Sequence, residues 1–130
     1  MRILIWLVLA IALVILINSI TRSWAGSHNQ GDGWRLVGTA GRADYYKFVL
    51  IKPNRQRDRK VYDDAIRYLC PSDDYCSILF WSEPKYVPKS MPMTDSQANH
   101  EVANYWNNPN GGNQFLWKCA KGDSPDSCFE

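Results

Sequence analysis

The sequence predicts a small α/β domain, ordered β-β-α-β-α-β, with about four strands, a parallel centre and two helices on one or both faces. Three observations carry this. Two short runs, Tyr45–Ile51 (YYKFVLI) and Cys76–Trp81 (CSILFW), are dense in aromatic and aliphatic side chains, the pattern of strands covered on both faces. Between them Tyr62, Ala65, Ile66 and Leu69 fall at i, i+3, i+4 and i+7, one stripe of an amphipathic helix. Strands joined through a helix pair in parallel by right-handed crossovers.

Each element has its own signals. Trp34–Gly38 is a short first strand, and Lys52-Pro53 ends the second. Asp58 supplies an N-cap for the first helix, which runs to about Leu69 and is stopped by Pro71. A loop carrying Pro84, Pro88 and Pro92 leads to Thr94-Asp95-Ser96-Gln97, a capping box, with Met93 placed to staple onto Ala98. The second helix is expected to present Ala98, Val102, Tyr105 and Trp106 on one face and to end in the turn Asn107–Gly112. Gln114–Cys119 then alternates as the last strand, with Phe115 and Trp117 on one side and Gln114, Leu116 and Lys118 on the other.

Residues 1–25 read as a signal peptide or an N-terminal membrane anchor. Arg2 precedes an unbroken apolar run from Ile3 to Ile17, and Ser23 and Ala25 stand at −3 and −1 of a cleavage point before Gly26. Fifteen helical residues span about 22 Å, short of a hydrocarbon core of about 30 Å, which favours cleavage. Membrane association through residues 3–20 is the alternative. Either way the domain is expected outside the cytoplasm, periplasmic or secreted. No cysteine precedes Cys70, which excludes a bacterial lipid-anchored N-terminus. Gly26–Gly33 reads as a flexible linker and 34–130 as a single domain.

Four cysteines, Cys70, Cys76, Cys119 and Cys128, are an even count in a small exported chain, so two disulfides are expected. Three connectivities are open, and the two local pairings are favoured by short spacing. The spacings do not match zinc pairs, so no metal is expected.

Without Arg2 and Arg22, 13 basic residues balance 13 acidic ones, which gives no support to nucleic-acid binding. Catalysis has little raw material. His28 lies in the linker, His100 among polar neighbours, and no nucleophile elbow, zinc-protease motif or phosphate loop occurs. No cofactor is expected, and the chain is read as a binding module, not an enzyme. A membrane-anchored accessory subunit is the runner-up; a small hydrolase using His100 is the third possibility. The four mature tryptophans, Trp34, Trp81, Trp106 and Trp117, are read as core before sugar platform.

One constellation stands out. With parallel central strands, the loops after Ile51 and Trp81 leave the same sheet edge, where α/β folds bind ligands. Those loops hold Lys52, Arg55, Arg57, Arg59, Lys60, Lys85 and Lys89, opposed in sequence by Asp58 and Glu83, with Tyr86, Met91 and Met93 as apolar contact surface. This basic edge is the candidate site for an anionic ligand or an acidic protein partner. Asp73, Asp74 and the Asn/Gly turn are expected at the opposite edge.

Overall fold

The continuous apolar runs become central strands because both of their faces are covered. The computed structural model describes residues 29–120 and 128–129; the leader, expected in residues 1–25, lies outside them. The strands are β1 (Gln30–Gly31), β2 (Trp34–Ala40), β3 (Tyr46–Ile51), β4 (Cys76–Trp81), β5 (Glu101–Asn108), β6 (Gly112–Lys118) and β7 (Cys128–Phe129). They form one sheet in sequence order. The helices are α1 (Arg59–Leu69) and the short α2 (Asp95–Asn99).

Pairing is parallel between β3 and β4 across α1, and between β6 and β7; the other four neighbours are antiparallel. Gln30 and Gly31, inside the stretch expected as linker, pair with Arg35 and Trp34.

Alternation along β3 and β4 divides the core. Val49, Ile51, Ile78 and Phe80 face α1, where they meet Val61, Tyr62 and Ala65. Phe48, Leu79 and Trp81 face away and are covered by Tyr86, Val87, Met91 and Met93 from the loop between β4 and α2. One helix covers one face and an irregular proline-bearing loop covers the other. Tyr62 is fully buried, packs edge-on against Phe80, Phe115 and Trp117, and donates its hydroxyl to the Gln56 carbonyl at 2.7 Å. Burial pushes its phenol pKa far up.

Both expected caps are present. Asp58 accepts from the Lys60 backbone N–H, and Thr94 and Gln97 form the reciprocal capping box. The helix that the capping box opens is much shorter than expected. It ends at Asn99, and Val102, Tyr105 and Trp106 lie on β5, antiparallel to β4. The Asn107–Gly112 segment is therefore the end of a hairpin and not a helix stop: Asn107 and Asn108 close β5, Gly112 opens β6 at φ 85°, and residues 109–111 make the turn. The reason is tertiary: a helix through Trp106 would leave β4, buried at every position, without a partner on one side. Among the described residues the four-strand expectation is corrected to seven strands; at the centre β3 and β4 are parallel, as expected, and β6–β7 is a second parallel pair.

Cys70 pairs with Cys76, linking the end of α1 to the start of β4, and Cys119 pairs with Cys128, with Cα separations of 6.0 and 4.9 Å. Both separations lie within the ordinary range for bonded cysteines. The second bond holds β7 beside β6, where Cys119 also donates its backbone N–H to the Phe129 carbonyl. Two disulfides in a domain this small suggest an oxidising, extracytoplasmic environment.

Candidate functional site

Because β3 and β4 run parallel, both chains leave the sheet at one edge, at Lys52 and Ser82. The antiparallel neighbours bring further residues there. Trp34 opens β2 opposite Ile51, Glu101 opens β5 opposite Trp81, and the end of β6 lies beside the start of β5. The sheet thus gathers the two predicted loops at one edge.

The structure separates the eight residues expected at this edge. Arg55 is held by Asp58 at 2.8 Å and by Asp32 at 3.2 Å, and those hydrogen bonds raise its pKa further. Arg59 pairs with Asp63 at 2.8 Å and lies over the Phe115 ring. Lys85 sits 3.7 Å from Glu83 and over the Tyr86 ring. Tyr86 in turn stacks on His100, its ring centroids 3.4 Å apart. Lys52 has Asp32 at 3.9 Å. Arg57 lies over Trp117, and Arg57, Lys60 and Lys89 have no carboxylate within ion-pair distance among the described residues. Asp32 and Asp63 thus join Asp58 and Glu83 as counter-charges, one from the segment before β2 and one from the second turn of α1.

Two hollows flank the end of β4. On the β2–β3 side is an open cleft of about 550 Å³. Trp34, Leu50, Ile51, Pro53 and Pro84 give it apolar walls, and Arg35 and Lys52 give it charge. A smaller hollow of about 190 Å³ adjoins it through Arg35, Leu50 and Pro84, and adds Lys89. Sequence reasoning misses Arg35, because a single cation on a strand carries no signal of its own.

On the β5–β6 side is a polar hollow of about 330 Å³, lined by Arg57, Glu83, His100, Glu101 and Lys118 together with Gln56, Ser82 and Asn99. Here His100 caps α2 and donates from Nδ1 to the Ser96 carbonyl at 2.8 Å, which assigns that proton. Glu101 is only 6% exposed. Burial raises its carboxyl pKa to about 7 against the opposing pull of Asn104 and Lys118.

The opposite edge carries the acidic turn and the hairpin, as expected. Asn107 donates to the Asp74 carbonyl and Asn110 to the Tyr75 hydroxyl. Trp34 and Trp81 are core residues, while Trp106 is 36% exposed and donates to Gln114. Among the described residues, no group of three or more His, Cys, Asp or Glu is placed to hold a metal ion, and no helix is long and apolar enough to cross a membrane. Comparison with protein-family models, curated proteins and solved structures finds no match for this chain.

Proposed function

We propose that the protein is an exported binding module whose ligand is an amphiphilic anion, or the acidic apolar segment of a partner, seated at the edge where β3 and β4 end. One observation carries this: the cleft at that edge combines apolar walls with the cations Arg35 and Lys52, and Lys89 stands in the adjoining hollow. Its volume of about 550 Å³ is in the range of small-molecule sites, whose apolar walls hold the ligand body while a few polar groups orient it. Arg55 and Arg59, engaged at 2.8 Å by acidic neighbours, have a structural share in the edge, whereas Arg35, Lys52 (with Asp32 at the longer 3.9 Å) and Lys89 line the cleft and its extension.

An arylsulfonate dye, 8-anilinonaphthalene-1-sulfonate, has both required features and reports its own binding. We expect saturable fluorescence enhancement with the wild-type domain, weakening as salt screens the cations. An Arg35→Gln/Lys52→Gln/Lys89→Gln variant should bind at least about fivefold more weakly while keeping its near-ultraviolet dichroism. Equal affinity in a folded triple variant would remove the cleft from consideration.

A further inference from the structure

Parallel pairing ends β3 and β4 together at the basic edge, and it also starts them together at the opposite one. There an open hollow of about 630 Å³ has Tyr45, Tyr46, Tyr75, Arg42 and Asp74 in its walls. Tyr75, Arg42 and Asp74 are exposed and Tyr45 and Tyr46 half-buried, so a ligand can reach all five. Core packing does not account for Tyr75, which is 58% exposed although it directly precedes β4, buried at every position. A lone exposed aromatic is ordinary, but three phenol rings around one hollow are a contact surface.

The backbone is bent to make that surface. Ala43 and Asp44 are consecutive non-glycine residues at φ 53° and 54°, a conformation that a side chain disfavours. Thr39 Oγ1 donates to Asp44 Oδ1 at 2.7 Å and Lys47 Nζ to the Asp44 carbonyl at 3.0 Å, which holds the turn. The turn sets the Tyr45 and Tyr46 rings edge to face, centroids 4.7 Å apart. Asn110 fixes the third ring by donating to the Tyr75 hydroxyl at 3.3 Å. Strain held in place by its surroundings gathers at binding sites.

The polar groups select the ligand. Arg42 and Asp74 are not paired with each other, and neither has another ion-pair partner among the described residues. Ser72 orients the Asp74 carboxylate by donating to Oδ2 at 2.9 Å. Both groups are planar, one offering paired donors and the other paired acceptors, the complement of neighbouring hydroxyls. A simple anion would meet Asp74, a simple cation would meet Arg42, and a wholly apolar ligand would strip both of water without replacing it. A sugar ring carries hydroxyls on its rim and an apolar C–H face that lies on an aromatic ring, so it engages every group.

We infer that this hollow is a carbohydrate site, taking a neutral pyranose whose C–H face stacks on the tyrosines and whose hydroxyls pair with Arg42 and Asp74. It is a second site for a different ligand, at the other end of the sheet from the anion cleft, and it does not rest on that cleft.

The test titrates the full domain with glucose, galactose, mannose, N-acetylglucosamine and N-acetylgalactosamine, and with a tetrasaccharide of each, followed by amide shifts and by saturation transfer to the sugar. At least one should bind with a dissociation constant in the millimolar range or tighter, move the amides of Arg42, Tyr46 and Tyr75, and take up saturation on its ring C–H protons. A tetrasaccharide that binds more tightly than its monosaccharide assigns the site to a glycan chain, and equal affinity assigns it to a free sugar; either upholds it. Tyr75→Ala and Asp74→Asn should each weaken binding at least about fivefold, whereas Tyr75→Phe, which keeps the ring, should stay within about threefold of wild type. If Tyr75→Ala does not fold, Arg42→Gln takes its place. The Arg35→Gln/Lys52→Gln/Lys89→Gln variant should bind sugar as wild type does, which separates failure of this site from failure of the cleft. Overturning results are no binding by any of these sugars, shifts confined to the basic edge, or undiminished binding by folded Tyr75→Ala. Saturable binding of tetramethylammonium at these tyrosines in place of any sugar would also overturn it and make the hollow a cation cage.

Discussion

Glu101 shows how a single residue can be plain in chemistry and hidden in sequence. Set in an expected helix beside His100 and Asn104, it reads as one more polar surface position; placed at the start of β5 it is a buried carboxyl with pKa about 7. The direction of that shift sets the sign of its effect on stability. An unperturbed Glu titrates near 4.5, so between about 4.5 and 7 the folded state keeps a proton that the unfolded state releases. Stability from this group is greatest below about pH 4.5, falls as pH rises toward 7, and is level above. Glu101→Gln removes the titration but leaves Arg57, Glu83, His100 and Lys118 in place. Urea midpoints should therefore be similar for the two proteins near pH 4.5, and should favour Gln at pH 8 by up to the order of 3 kcal/mol, at about 1.4 kcal/mol per pKa unit. Parallel profiles would mean that the carboxyl is solvated. The cysteines behave in the opposite way: short spacing confines each bond to its nearest partner, so both pairings are legible in the sequence.

At the scale of elements, local signals locate starts better than ends. The Thr94 capping box is present as expected, with Gln97 N to Thr94 Oγ1 at 3.2 Å and Thr94 N to Gln97 Oε1 at 2.8 Å. It begins only five residues of helix, because the chain beyond His100 is claimed by pairing with β4. Val102, Tyr105 and Trp106 suit a helix stripe and a strand equally well, and the choice depends on β4, more than twenty residues earlier. Propensity cannot see that. The short helix still has work to do, since the Gln97 carbonyl accepts the indole N–H of buried Trp81 at 2.8 Å. Thr94→Ala is expected to cost about 0.5–2 kcal/mol in urea unfolding at unchanged slope. No shift in midpoint would show that the loop before α2 is held by Met91 and Met93 packing alone.

For the molecule as a whole, the basic loops are legible at one edge because a helix between two apolar strands forces parallel pairing. Their availability is only partly legible: Asp32 is distant in chain from Arg55 and cannot be paired with it by inspection, whereas Arg59 and Asp63 stand at i and i+4 on α1, a spacing that does indicate the pair. The leader and the disulfides bear on the compartment together. Intact mass of the protein from its native host should equal a chain beginning at Gly26 less four hydrogens, and each short-loop disulfide should contribute on the order of 2–3 kcal/mol. Met1 retained on membrane-bound material would favour the anchor, and four free thiols would contradict export.

Ligand entry at the edge where β3 and β4 end is the central claim, and backbone amide shifts read it directly. Titrating the labelled domain with its partner or ligand from the native host should move the amides of Arg35, Leu50, Lys52 and Lys89 and leave Tyr45, Tyr75 and Asn110 at the far edge unmoved. Shifts confined to Tyr45, Tyr46 and Tyr75, around the hollow at the far edge, would contradict it and place function at the acidic end of the sheet.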